Sequence, residues 1–326
     1  MKLLFIFWLA SFILKSQGNN SDDENGDKYI GELNSNGERH GKGRLVYSKN
    51  NDKQRQVFEG EFSNGFINGE GKMAWKGGQV YSGNWKNDLK DGFGTETNVD
   101  GVYSGTWKNS QKSGEGTFTW PDNKIYTGTF SDDSQDGYGT LLFPNKDIYR
   151  GEWRKGKMDG KGTWTTNKGE KFTGEYKDDL EHGKGKLMLN DVLVFDGEFM
   201  AGKKNGFGRY NSTNGQVYEG EFLDSKFHGT GMMKTAKGVY KGDFIEDMRQ
   251  GNGSFIWYAD GRRYRGEWKN NTRHGSGAMR WATGDVYEGE WQNDKKEGQG
   301  RLTFSDGAVF VGVHEQGLPH GKVCLL

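Results

Sequence analysis

The chain has 326 residues, with 45 basic and 45 acidic side chains that leave no net charge at neutral pH. That balance gives neither anionic lipid nor nucleic acid a uniformly basic face. Only 32% of residues are hydrophobic and the mean hydropathy is −0.95, too polar for one large central core, yet 14% are aromatic. The one cysteine, Cys324, excludes an internal disulfide.

Residues 1–18, MKLLFIFWLASFILKSQG, combine a lysine near the start, an apolar run from Leu3 to Leu14, and small residues Ser16 and Gly18. This is the pattern of a secretory signal peptide. The run is 12 residues long, short of the ~20 that span a bilayer as a helix. The alternative is an uncleaved hydrophobic anchor. Residues 19–28 are acidic and polar and are expected to form a disordered linker.

From Tyr29 the chain repeats itself. Aligned copies begin at Tyr29, Phe58, Tyr81, Tyr103, Tyr126, Tyr149, Phe172, Phe195, Tyr218, Tyr240, Tyr264, Tyr287 and Phe310, and from Phe58 the step is 22, 23 or 24 residues. A fixed period of this size marks a stacked array. Position 1 is always Tyr or Phe, position 3 always Gly, and position 5 aromatic except at Leu33 and His314. Aligned position 12 is always Gly, and position 14 is Gly except at Val323. These three columns hold 38 of the 54 glycines, so glycine here is positional and not a sign of low complexity.

Alternate residues of a strand share a face. Positions 1, 3 and 5 therefore point one way, as Tyr149, Gly151 and Trp153 do, and positions 12, 14, 16 and 18 follow on the return strand. With residues 6 to 11 as the loop, position 5 pairs with 12, 3 with 14 and 1 with 16. Each aromatic ring then covers a bare glycine, a known cross-strand rescue; Trp153 would cover Gly160. Position 8 is Gly, Asn, Asp or Ser in every copy, such as Asp88, Ser110 and Asp294, residue types that suit a tight turn. The reading is an all-β, elongated, single-layer antiparallel meander of about thirteen hairpins, a twisted rod ~125 Å long at ~4.8 Å per strand. No window has apolar residues at helical spacing.

This pattern resembles the MORN repeat (membrane occupation and recognition nexus), and the resemblance runs from Tyr29 to nearly the last residue. It implies a repeat array over 29–326 and a non-catalytic scaffold or spacer for protein–protein assembly, at a membrane or the cytoskeleton. The alternative it implies is a regulatory or lipid-associated protein related to the repeat region of phosphatidylinositol-4-phosphate 5-kinases. Repeats that run to Leu326 leave no room for a kinase domain, or for the catalytic domain that some MORN-containing lysine methyltransferases carry. A functional leader at 1–18 would send the chain to the secretory pathway or a membrane. The family's habit points instead to the cytoplasmic face of membranes or to cytoskeleton.

Candidate chemistry is sparse. His40, His182, His228, His274 and His320 all precede the position-12 glycine. Adjacent repeats are ~9.6 Å apart, two strand spacings, too far for two such histidines to reach one zinc ion. Position 4 is acidic in nine copies, including Glu152, Glu175 and Glu198. Across the hairpin it would meet position 13, Lys161 opposite Glu152 and Lys184 opposite Glu175, as exposed ion pairs. No paired acid and base, nucleophile elbow or phosphate loop occurs in a supporting context. No catalytic, cofactor or metal residue is therefore expected. Sequons at Asn19, Asn211, Asn252 and Asn270 are read as chance.

Two sets of residues remain. Tyr81, Trp85, Tyr103, Trp107, Tyr149, Trp153, Tyr264, Trp268, Tyr287 and Trp291 form the expected structural aromatic face. Phe310, Val323, Cys324, Leu325 and Leu326 form a candidate interaction edge. In the last copy His314 replaces a ring, Val323 replaces a glycine, and the chain finishes on apolar residues. An apolar strand at a sheet edge invites pairing with another chain. The expected partners are proteins, with a homodimer through the C-terminal repeats and membrane association through the N-terminus. No nucleic acid is expected.

Overall fold

The computed structural model describes residues 19–22, 26–49, 51 and 53–325, with side chains from residue 26 to residue 320. The segment 1–18, read as a leader or anchor, and Leu326 lie outside the described residues. The chain divides into two compact units, Met1–Pro144 with Arg154–Gly156, and Asn145–Trp153 with Lys157–Leu326. Every regular element among the described residues is a β-strand. No helix among them is long and apolar enough to cross a membrane.

Each unit is an antiparallel meander in which a strand pairs with the one before and the one after. In the first unit, Ile125–Ser131 pairs with both Gln111–Thr119 and Ser134–Leu142. In the second, Glu170–Lys177 pairs with both Lys157–Thr165 and Leu180–Leu189. From the second copy on, the loop within each repeat is two residues long, and both residues have positive φ, as at Asn87 (49°) and Asp88 (66°). This is the type I′ geometry, whose twist matches that of the flanking strands, and it explains Asn, Asp and Gly at positions 7 and 8.

The register agrees with the sequence reading at two of three points. Position 1 pairs with 16 and position 3 with 14, as Phe172 with Leu187 and Gly174 with Gly185. Position 5 pairs with 10, not 12: Tyr176 faces Glu181 and Phe130 faces Gln135. A two-residue turn forces the close pairing near the loop, and a β-bulge beyond position 3 absorbs the extra residues. Position 12 pairs instead with position 5 of the following repeat, Gly160 with Tyr176.

Two expectations are thereby corrected. Gly160 is not a socket for Trp153. It is the bulge residue, at φ +107°, and a Cβ there would lie 2.9 Å from the Cβ of Glu152. The true socket is position 14, where a Cβ on Gly162 would lie 2.6 Å from Cζ of Tyr149. Nor does Lys161 face Glu152: its partner is Glu175 of the next repeat, and Lys184 faces Glu198. The position-4 carboxylate serves its own bulge, accepting from the amide of position 13. Thr230 N donates to Glu221 (3.0 Å), Ser276 N to Glu267 (2.9 Å) and Asn252 N to Asp243 (3.0 Å). The bulge exposes that amide, and the acid satisfies it.

The core is a ladder of rings. Position-1 and position-5 aromatics meet edge to face within a repeat and between repeats. Tyr81 lies 5.0 Å from Trp85 and 5.4 Å from Trp107, and Tyr264 lies 5.3 Å from Trp268 and 5.4 Å from Trp291. This geometry sets the positive edge of one ring against the negative face of the next. Tyr hydroxyls donate to the position-4 carbonyl, Tyr149 to Glu152 at 3.0 Å. Indole N–H groups at position 5 donate to the position-14 carbonyl of the preceding repeat, Trp291 to Gly277 at 3.1 Å.

The N-terminal end departs from expectation, and the C-terminal end keeps the expected pairing of position 1 with position 16. Asn19–Asp22, expected to be disordered, form a strand paired with Lys28–Leu33, Asn20 opposite Ile30. The pairing is backbone to backbone and satisfies an edge that would otherwise be open. At the other end Leu318–Leu325 pairs with Val309–Glu315, Phe310 opposite Leu325 and Val311 opposite Cys324.

Candidate binding face

All ten residues of the expected aromatic face are buried. They hold the repeats together and are closed to a partner. What that face offers outward comes from positions 10 and 18. Position 10 lies across from position 5, so a cation there reaches over the rings. Arg249 sits 4.3 Å from the Trp268 ring centre and 5.6 Å from Tyr240 and Phe255. Arg273 lies 4.3 Å over Trp291 and 5.8 Å over Tyr264. Lys296 lies 5.0 Å from Tyr287 and 4.9 Å from Trp281. Lys112 and Lys204 repeat the motif over Phe118 (4.8 Å) and Tyr210 (4.8 Å). These are cation–π contacts. Burial lowers the pKa of Lys112, Lys204, Arg249 and Lys296 and raises Tyr103 and Tyr287 to about 12.

Lys90 is the most enclosed of these cations. Its ammonium lies 4.3 Å over Trp107 and 5.1 Å over Tyr81 and is ion-paired with Glu96, both side chains being nearly buried. Burial pulls the Lys90 pKa down. Glu96 holds position 16, which is apolar in the neighbouring repeats at Met73 and Phe118.

Position 10 is clamped from the next repeat. Asp294 accepts from the Arg273 amide (3.0 Å) and from its Nε (2.8 Å). Asn271 accepts from the Arg249 amide (2.9 Å), and Asp179 from Met158 N (2.9 Å). The same position-8 residues return a backbone bond, Asp294 N to the Arg273 carbonyl at 3.1 Å. Position 8 is thus both a turn residue and the staple between repeats. The staple, the cation column and the position-4 cap all escaped the sequence reading. The first two were signalled by Lys or Arg recurring two residues after the turn and by the preference for Asp over Gly within it.

The opposite face carries further apolar residues that stay in solvent. Met200, Leu223 and Ile245 occupy position 6 of three consecutive repeats and are each about half exposed. Phe93, Tyr138 and Phe207, all at position 13, are more exposed still.

The histidine column faces the position-4 acids, His182 opposite Glu175 and His228 opposite Glu221. No group of three or more His, Cys, Asp or Glu that could hold a metal ion occurs among the described residues. Within the candidate edge, Phe310 is buried beside His314, whose ring lies 5.3 Å away and is itself fully buried. Neither ring nitrogen of His314 has a hydrogen-bond partner among the described residues. Val323, Cys324 and Leu325 are placed in the final strand by their backbone alone.

The family model described as MORN repeat matches twelve segments, residues 29–51, 58–80, 81–102, 103–125, 126–148, 149–171, 172–191, 195–217, 218–239, 240–262, 264–286 and 287–309. The thirteenth copy, from Phe310, falls outside them but forms a hairpin with the same bulge. No curated protein matches the chain. Solved structures that match include the SAS-4 (dCPAP) TCP domain of Drosophila melanogaster in complex with a proline-rich motif of Ana2 (10% identity, 55% of this chain and 88% of that one, TM-score 0.29). Others are the TCP10 domain of Danio rerio CPAP with a STIL peptide (12%, 90% and 96%, TM-score 0.18) and streptogramin B lyase (11%, 95% and 93%, TM-score 0.14). Likeness this slight carries nothing over to this chain.

Proposed function

Because the chain belongs to the MORN repeat family, we infer that it is a non-catalytic scaffold on which other proteins assemble. The observation that carries this reading is the periodic exposure of apolar side chains at one register. Met200, Leu223 and Ile245 recur at ~9.6 Å intervals on a face whose backbone groups are already satisfied. Such a ladder offers a partner repeated weak contacts, which add by avidity. The apolar run at Leu3 to Leu14, with the family resemblance, supports placing the assembly at a membrane or the cytoskeleton. The apolar end of the chain supports a homotypic contact through the edge of Leu318–Leu325.

Proximity labelling from a C-terminal tag in the cell of origin tests the scaffold. A reproducible set of neighbours is expected, reduced when Met200, Leu223 and Ile245 are all changed to Glu. A set no richer than that of the free label would refute the reading. Sedimentation of the chain beside a truncation ending at Gln316 tests the homotypic contact. The full chain should self-associate at tens of micromolar and the truncation should not; if both run as monomers, that contact is wrong.

A further inference from the structure

Three consecutive repeats carry a ring at position 18 that is not buried, on the same face as the cation column: Trp257 and Trp281 are partly exposed and Phe304 is 38% exposed. These rings differ from the buried tryptophans in one respect. Trp85, Trp107, Trp268 and Trp291 each donate their indole N–H to a backbone carbonyl. Trp257 and Trp281 have no such acceptor among the described residues. Cations stand beside each of them, Arg262 at 4.8 Å and Arg273 at 6.0 Å from Trp257, and Lys296 at 4.9 Å from Trp281. Arg262 and Arg273 are ion-paired with Asp260 and Asp294. Arg249 and Lys296 form no ion pair among the described residues, although Asp294 and Asp285 lie within electrostatic reach of them.

The spacing identifies a partner chemistry. Equivalent residues of adjacent repeats are two strands apart, ~9.6 Å. A polyproline II helix advances ~3.1 Å per residue with three residues per turn, so one of its edges repeats every ~9.3 Å. The mismatch is ~0.3 Å per repeat and stays below 1 Å over three repeats. A polyproline II segment crossing the strands would therefore set a proline on Trp257, Trp281 and Phe304 in turn. Its backbone makes no internal hydrogen bonds, which leaves carbonyls free to accept from the two indole N–H groups. Acidic residues between the prolines would meet Arg249 and Lys296.

We propose that the Trp257–Trp281–Phe304 ladder is a docking site for an acidic, proline-rich segment of a partner protein in the polyproline II conformation. The proposal rests on the scaffold reading and gives the partner's chemical class. The rings supply flat apolar area at little entropic cost, the indoles supply direction, and the cations select against basic proline-rich sequences.

The test is titration of the full chain, followed by tryptophan fluorescence and calorimetry, with a synthetic peptide of four Pro-Pro-Glu triplets. Saturable binding is expected, weakened about tenfold or more by Trp281→Ala. Replacing both Arg249 and Lys296 by Gln should weaken it and flatten its salt dependence. Unchanged melting of each variant shows that the fold is intact. Equal affinity for four Gly-Ser-Glu triplets, tighter binding of oligouridine, or indifference to Trp281→Ala would overturn the proposal. Proximity labelling with Trp257→Ala and Trp281→Ala combined separates the two readings. Neighbours retained by that variant leave the scaffold standing and remove the docking site; no neighbours for the unaltered chain removes the scaffold itself.

Discussion

The ring of Tyr149 fills the space that a side chain on Gly162 would need, its Cζ standing 2.6 Å from where a Cβ would be. The ring cannot retreat, because Tyr149 is fully buried and its hydroxyl is held by the Glu152 carbonyl at 3.0 Å. Gly162→Ala is therefore expected to destabilise the array by about 1–3 kcal/mol through overpacking. Replacing Tyr149 by Leu removes the clash, so the two substitutions together should cost less than their sum, with a coupling of about 0.5–3 kcal/mol. Chemical denaturation of the four proteins measures it; strict additivity would show that the ring does not occupy the socket.

Lys90 and Glu96 form a nearly buried ion pair, with side chains 11% and 9% exposed. Lys90→Met alone leaves a carboxylate without its partner and is expected to cost about 3–5 kcal/mol. Glu96→Leu added to it restores the apolar residue that neighbouring repeats carry at that position. The double variant should melt close to the parent or above it. If Lys90→Met by itself leaves the melting temperature unchanged, the pair is not enclosed as described.

The Asp294 staple gives a local prediction. Asp294→Gly keeps the positive φ that the turn requires (66°) while removing the acceptor for Arg273. The carboxylate is half exposed, so a loss of only about 1 kcal/mol is expected. Asp294→Asn, which copies the natural Asn271–Arg249 arrangement, should lose less. Hydrogen exchange at the Arg273 amide should rise in the Gly variant and stay near the parent in the Asn variant; equal exchange in all three would refute the staple.

His314 supplies a pH dependence. Burial, with Lys296 nearby, lowers its pKa below the ordinary 6.5. The neutral form is therefore favoured in the folded state, and the unfolded chain takes up a proton first as pH falls. This contribution to stability is full above about pH 6.5 and declines below it, until the folded form also titrates. The last hairpin should loosen between pH 7 and pH 5. His314→Phe, which restores the ring found at this position in most copies, should abolish that part of the dependence. Hydrogen exchange across Val309–Glu315 at the two pH values is the measurement, and an equal slope in the variant would rule His314 out.

Much of the fold was legible in single residues. Tyr or Phe at position 1, Gly at positions 3 and 14, and Asn or Asp in the turn are local necessities, because a strand alternates its faces, a ring needs an empty neighbour, and a type I′ loop needs positive φ. The pairings of position 1 with 16 and 3 with 14 follow from them. Gly160 shows where that logic stops. A glycine that makes room for a ring and a glycine that bends the backbone are the same letter, and only the β-bulge distinguishes them. Once the bulge is in place, Lys161 faces Glu175 and not Glu152, Glu221 caps the Thr230 amide, and Asp294 reaches Arg273 one repeat away. The partly exposed ladder of Trp257 and Trp281 was invisible for the same reason. Position 18 carries no rule of its own in the sequence, and Trp257 and Trp281 meet Arg273 and Lys296 only when successive hairpins lie against one another.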